Sequence, residues 1–408
     1  MAQAINVTKG IHWVGVNDHQ SDLFESLWPL PRGVTYNSYL IDDEKTVLID
    51  TVKAPFLTDL IDRIREVLGP GRSLDYLVIN HMEPDHSGAV KILKTVFPDL
   101  KIIGNTKTKD LLESFYTLTD DVIVMKDGET LDIGSRNLQF FMIPMVHWPE
   151  TMVTWDASTK TLFPCDAFGG FGALDGGLFD DEVDMNFYEG EILRYFSNIV
   201  GRYSPQVQKA IGKLKGLGEI RIIAPSHGPI HRKKPGRIVE LYDRWSRHET
   251  ECGAVIVFGS MYGNTQKAAD AVARSLAEEG IEKMVYHDIS RSHVSFIVRD
   301  IWRYKGLVLA GCTYNTTLFP PMTELVGHLL NKKMKNRYLG LVGSYSWSKG
   351  ALAALQDFAS KGDWEIIEPQ VEVKSSPGPE DFSACGQLGK NLAAKLKSCT
   401  YLEKCSLD

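Results

Sequence analysis

Six consecutive residues, His81-Met82-Glu83-Pro84-Asp85-His86, hold four side chains able to bind a metal. They follow the apolar run from Tyr76 to Ile79, so a buried strand delivers them to a loop. Pro84 keeps Glu83 out of helical geometry, and ligands at alternate positions of an extended loop can converge. Three further candidates leave similar runs: His147 after Phe140 to Val146, Asp166 after Leu162 to Cys165, and His227 after Ile222 to Ser226. Strand ends are where layered α/β folds gather active sites. Taken singly, each histidine also reads as a satisfied core residue; the full set reads as a site. Glu83, Asp85 and Asp166 bring negative charge, the histidines are neutral donors, and Asp166, standing apart from the loop, is the candidate to bridge two ions. A thiolate-free oxygen and nitrogen set suits iron or manganese better than structural zinc. Cys165 is left out, because strand alternation would turn it away from Asp166.

A second pattern lies beyond residue 250. The run Ala254 to Phe258 enters Gly259-Ser260-Met261-Tyr262-Gly263-Asn264-Thr265 and then a helix over 266–277. Backbone N–H groups at a helix start, with the hydroxyls of Ser260 and Thr265, suit a phosphate group, and Gly263 permits close backbone approach. The P-loop lysine and the G-x-G-x-x-G spacing are both missing, which argues against a nucleotide triphosphate or a dinucleotide. Two later loops, Cys312-Thr313-Tyr314-Asn315-Thr316 and Ser344-Tyr345-Ser346-Trp347-Ser348-Lys349-Gly350, put aromatic and small polar residues at the same sheet end. Together they suit a flat heterocycle, with Trp347 and then Tyr314 as stacking residues.

The elements that must position these residues change character near 250. Before it, hairpin-like strands (34–39 and 46–50 around a polar turn, and others over 120–165) mix with a helix face at 89–97, a helical stretch over 189–217 and a strand over 220–224. After it, buried strands begin near Ala254, Met284, Gly306, Tyr338 and Glu365, with helices between them, which predicts a doubly wound five-stranded parallel sheet. The expected domains are therefore 1–250 and 251–408. The chain has 408 residues, 43% hydrophobic and 24% charged, with net charge -7. That composition is globular, not disordered or fibrous, and it disfavours nucleic acid or an anionic membrane as partner. No run is apolar enough to span a bilayer. Six scattered cysteines without a C-x-x-C pair, and no leader pattern at Met1 to Ala4, predict a cytoplasmic chain with reduced thiols. Residues 399–408 read as a frayed tail.

Both halves, in this order, resemble the flavodiiron (A-type flavoprotein) family over essentially the whole chain. The family's H-x-E-x-D-H motif followed by separate His, Asp and His matches His81, Glu83, Asp85, His86, His147, Asp166 and His227, and His147-Trp148-Pro149-Glu150-Thr151-Met152 also follows its pattern. Tyr262 stands where ordinary flavodoxins have Ser or Thr. The resemblance implies an α+β half, an αββα metallo-β-lactamase-like sandwich, followed by an α/β flavodoxin-like half. It implies two iron ions, one held by His81, Glu83 and His147 and the other by Asp85, His86 and His227, bridged by Asp166. It also implies FMN on the second half. The implied activity is reduction of dioxygen to water or nitric oxide to nitrous oxide. It further implies a head-to-tail homodimer or a dimer of dimers. With no rubredoxin domain before Asp408, it implies a separate electron donor: rubredoxin, a flavin reductase or a reduced deazaflavin coenzyme. Tyr195, Phe24 and Trp148 are candidates for lining the gas site, Tyr195 as a catalytic residue. Two other readings compete. A zinc hydrolase of the same superfold would use Asp85 or a metal-bound hydroxide, but such enzymes have histidine where Glu83 stands. A non-enzymatic electron-transfer module would leave the first half purely structural.

Overall fold

The computed structural model describes residues 3–119 and 122–398, so the expected tail at 399–408, with Cys399 and Cys405, lies outside the described residues. The chain divides into two compact units, Met1–Ser246 and Arg247–Asp408.

The first unit holds two sheets. In the seven-stranded sheet, Ile5–Thr8, Ile11–Trp13, Tyr39–Ile41 and Val47–Ile49 pair antiparallel. Tyr76–Val78, Lys101–Gly104 and Val122–Val124 then extend it in parallel. The five-stranded sheet runs Thr130–Asp132, Asn137–Met142, Met152–Asp156, Thr161–Phe163 and Ile222–Ile223. Apolar side chains from both sheets share one core, including Tyr39, Ile49, Val78 and Ile103 from the first and Leu138, Phe140, Met152 and Phe163 from the second. Burial of both inner faces holds such a sandwich together.

Local chemistry shortens several expected elements. The 34–39 run divides into Val34–Tyr36 and Tyr39–Ile41. Asn37 leaves the ladder because its amide donates to the carbonyls of Pro225 and Gly228, both at 2.9 Å. The 189–217 helix is an α-helix Met185–Tyr195, a π-helical turn Phe196–Val200 and a second α-helix Ser204–Leu214. The 220–224 strand keeps only Ile222–Ile223.

The second unit is a parallel sheet ordered Met284–Asp288, Glu251–Gly259, Tyr304–Tyr314, Lys335–Tyr345 and Asp363–Lys374, with Thr317–Leu318 added antiparallel to the third. In chain order this is 2-1-3-4-5, the flavodoxin-like winding, whose ligand crevice lies outside the strand ends at the reversal point. Among the described residues no helix is long and apolar enough to cross a membrane, and Cys165, Cys252, Cys312 and Cys385 are free thiols.

Gly343 marks the tightest packing behind the last loop. A Cβ there would lie 2.5 Å from the Leu352 Cβ and 2.7 Å from its backbone nitrogen. Gly343→Ala is therefore expected to destabilise the chain by about 1–3 kcal/mol, read as a lower midpoint in thermal unfolding.

Candidate metal centre and flavin-binding loops

All seven ligand-type side chains lie just past strand ends of the two sheets in the first unit. The structure groups them as His81, Glu83, His147 and Asp166 on one side and Asp85, His86 and His227 on the other, with the potential ligand atoms of each group within 4.8 Å of one another. Glu83 is extended, as its proline neighbour requires. Pro84–Ser87, however, forms a single helical turn, so the loop is not extended throughout. That turn places Asp85 and His86 on one side and leaves Glu83 facing the other.

Asp166 joins the groups. Its Oδ2 lies 3.1 Å from His147 Nε2 and 3.4 Å from His81 Nε2. Its Oδ1 lies 2.8 Å from His86 Nε2 and 3.5 Å from His227 Nε2. Glu83 Oε2 sits 3.2 Å from His81 Nε2 and 3.1 Å from His147 Nε2. His81, His86, Asp166 and His227 are fully buried. Both Asp85 oxygens and His227 Nε2 are buried without a hydrogen-bond partner among the described residues. Buried acceptors with no donor are costly unless a cation satisfies them.

The electrostatics point the same way. Burial disfavours a charged His81, yet hydrogen bonds to Glu150 and Glu83 outweigh it and push its pKa up to about 10. His147 is likewise opposed by burial but raised to about 10 by hydrogen bonds to Asp166 and Glu83. Burial works against His86 too, and the charges of Asp85 and Asp166 raise it to about 9. The carboxyl of Asp166 is held well below its usual range, since His86 and His147 outweigh its own desolvation. Protons and metal cations compete for these ring nitrogens.

Cys165 needs a correction. It lies outside the strand Thr161–Phe163, at φ +53, so alternation does not turn it away. Its thiol falls within ligand range of His86 and Asp166. Burial and the charges of Asp50 and Asp166 push that thiol well above its ordinary pKa, so it stays protonated and a poor ligand. It accepts a hydrogen bond from Ser226 Oγ at 3.2 Å.

Aromatic side chains close the centre. Phe24 and Tyr195 set their rings 5.3 and 5.6 Å from His227, and Trp148 lies 5.1 Å from His81. The Tyr195 hydroxyl is buried with no partner among the described residues. Burial and the nearby carboxylates push it well above its ordinary pKa.

In the second unit the loops stand as expected with one change of role. Ser260 Oγ accepts from the Gly263 N–H at 3.0 Å, and Gly263 takes φ +85 just before the helix Asn264–Glu278. Thr265 is buried and its hydroxyl meets that of Ser344 at 2.7 Å. This pair ties two loops together, so Thr265 is spent on positioning and not on the direct phosphate contact expected of it. Thr313 Oγ1 accepts from the Ala351 N–H at 3.0 Å. Asn315 and Thr316 both have positive φ, and a Cβ at Gly350 would strike the Thr316 carbonyl. Tyr345 lies under the Lys349 ammonium. Met261, Tyr262, Tyr314 and Trp347 are exposed, Tyr262 to 89% and Trp347 to 81%, which is unusual for side chains so large.

Comparison with known proteins agrees with both halves. Residues 34–228 match the ODP family beta lactamase model, and 256–388 match the flavodoxin model. A nitric oxide reductase of Moorella thermoacetica is 34% identical over 97% of this chain and 100% of its own length. The chain belongs to the flavodiiron protein family. An anaerobic nitric oxide reductase flavorubredoxin of Escherichia coli is 33% identical over 96% of this chain and 82% of its own. Rubredoxin oxygen:oxidoreductase of Desulfovibrio gigas superposes with TM-score 0.91 at 32% identity, covering 97% of this chain and 99% of that one. The flavodiiron protein of Giardia intestinalis gives TM-score 0.91 at 27% identity, covering 97% of each. Flavodiiron relatives that are named reductases favour that reading over the hydrolase alternative.

Sequence reasoning missed the supports of this flavodiiron centre. Glu150 is buried, and its Oε1 accepts from His81 Nδ1 at 2.7 Å and from the Met82 N–H at 2.9 Å. His227 Nδ1 donates to the Thr35 carbonyl at 2.6 Å. Such partners fix the tautomer that leaves Nε2 free for a metal. At the rim, desolvation and neighbouring Glu83 raise Glu25 to about 7. The one available signal for Glu150 was its place in the motif after His147. Glu150→Gln is expected to keep the fold but weaken metal affinity about 10–100-fold, measured by competition with a chelator. Metal loading at pH 7 is expected to release protons from His81, His86 and His147, seen as a buffer-dependent binding enthalpy; a buffer-independent enthalpy would refute it.

Proposed function

We propose that this chain reduces nitric oxide to nitrous oxide, dioxygen to water, or both, at a di-iron centre fed by FMN. The observation that carries the reading is the shared Asp166: each of its oxygens faces a different buried cluster. His81, Glu83 and His147 would hold one iron, Asp85, His86 and His227 the other, with Asp166 between them. The donor set fits. The unpartnered Asp85 oxygens and His227 Nε2 are where a cation is needed, and oxygen-rich ligands without thiolate suit iron. In the second unit Ser260, the loop N–H groups to Gly263 and the helix starting at Asn264 would take the FMN phosphate. Trp347 and Tyr314 would flank its ring, with Met261, Tyr262, Thr313, Asn315, Thr316, Tyr345 and Gly350 shaping the crevice and Ser344 bracing it.

When bound, FMN supplies electrons and the irons bind and reduce the gas. The chain supplies position and protons. Phe24, Trp148 and Tyr195 exclude water around the histidines. Tyr195 keeps its proton at Oη, ready to donate to a small ligand.

The exposed Met261, Tyr262, Tyr314 and Trp347, and around the metal centre Leu23, Leu27 and Phe115, support two apolar rims that meet between subunits. A head-to-tail homodimer, or a dimer of such dimers, would cover both. A separate electron donor (rubredoxin, a flavin reductase or a reduced deazaflavin coenzyme) and a cytoplasmic site complete the proposal, in keeping with the free thiols.

The test uses one reduced, metal-quantified sample holding about two iron atoms and one FMN per chain. It should consume at least one of the two gases, and His147→Ala should lower the rate at least about tenfold through lost iron. Full loading with no consumption of either gas would overturn the reading.

A further inference from the structure

A second cavity, of about 230 Å³, lies in the first unit and is lined by Met185, His231, Lys233, Lys234, Ile238 and Leu241 among others. None of these residues is in the metal centre. His231 is only 2% exposed, and its Nε2 has no hydrogen-bond partner among the described residues. Its other ring nitrogen is held by the backbone of Phe168, as donor to the carbonyl. Nε2 therefore carries the lone pair, and what enters must donate an O–H or N–H. Burial lowers the pKa of this imidazole to about 4, which keeps it neutral.

The charges at the mouth are unequally matched. Asp180, also at the cavity, accepts from the backbone N–H groups of Arg232, Lys233 and Lys234 at 2.9, 2.9 and 3.1 Å. Glu189 is engaged by the Arg237 guanidinium. Asp181 faces Lys233 as well as Arg232. Lys234 makes no ion pair among the described residues, and it immediately precedes the helix Pro235–Ser246, whose start favours an anion. Met185, Ile238 and Leu241 supply the apolar walls.

We infer that this cavity binds a small carboxylate with an apolar body and a hydroxyl group, the hydroxyl donating to His231 Nε2 and the carboxylate meeting Lys234 at the helix start. The volume suits about ten non-hydrogen atoms at interior packing density, roughly one substituted ring. The segments that build it also carry the metal centre. Phe168 follows Asp166, His231 follows His227, and Glu189 shares a helix with Tyr195.

Calorimetric titration of the iron- and FMN-loaded protein with 4-hydroxyphenylacetate and with phenylacetate tests this. The hydroxylated acid should bind saturably and at least about tenfold more tightly than its deoxy analogue. His231→Phe should erase that difference. Lys234→Ala, a surface change, should weaken both acids at least about threefold while preserving their ratio. No saturable binding, equal affinities in the parent protein, or unchanged affinities in Lys234→Ala would each overturn the proposal. The last outcome would also expose binding of the acids at the metal centre instead.

Discussion

Everything in the first unit answers to the electrostatics of one carboxylate. Asp166 is fully buried, and its two oxygens face opposite clusters of imidazole and carboxylate. Taking so many titratable groups out of water is tolerable only when the charges balance and the remaining lone pairs find partners. The sandwich meets this by bringing strand ends of both sheets to one place and by bracing the rings from behind. Glu150 holds His81, the Thr35 carbonyl holds His227, and Thr51 donates to the His86 carbonyl. The centre is rigid because its supports belong to the core.

The flavodoxin-like unit solves a different problem with fewer charges. Its three loops leave one end of a parallel sheet, and their shapes are set by backbone demands: a left-handed Gly263, positive φ at Asn315 and Thr316, and a hydroxyl pair between Thr265 and Ser344. The result is a shallow crevice edged by aromatics that the unit itself does not cover.

How much of this was legible in the sequence depended on how local the signal is. His81 to His86 declare themselves because four ligands fall in one loop, and the parallel sheet declares itself through its repeated buried strands. The supports are not local. Glu150 reaches His81 across 69 positions and Thr35 reaches His227 across 192, distances at which no spacing rule operates. Cys165 misled because alternation was applied one residue beyond the strand's end, where the backbone had already turned left-handed. The 34–39 strand broke because Asn37 found better acceptors in Pro225 and Gly228 than a ladder offers. Thr265 was read as a ligand because a hydroxyl at a helix start looks alike whether it faces a phosphate or a neighbouring loop.

The π-helical turn at Phe196–Val200 follows directly after Tyr195. Such a turn accommodates one residue more than an α-helix has room for, and each residue rotates a helix by roughly 100°. The flanking helices Met185–Tyr195 and Ser204–Leu214 are thereby set out of phase with a continuous spiral. Losing a single residue from the turn would restore regular winding and swing the Tyr195 ring about a quarter-turn around the helix axis, away from His227. The insertion thus works as an angular setting. It lets the chain point one hydroxyl into the centre without redesigning either helix, and it makes the aim of that hydroxyl sensitive to length where its surroundings are sensitive only to composition.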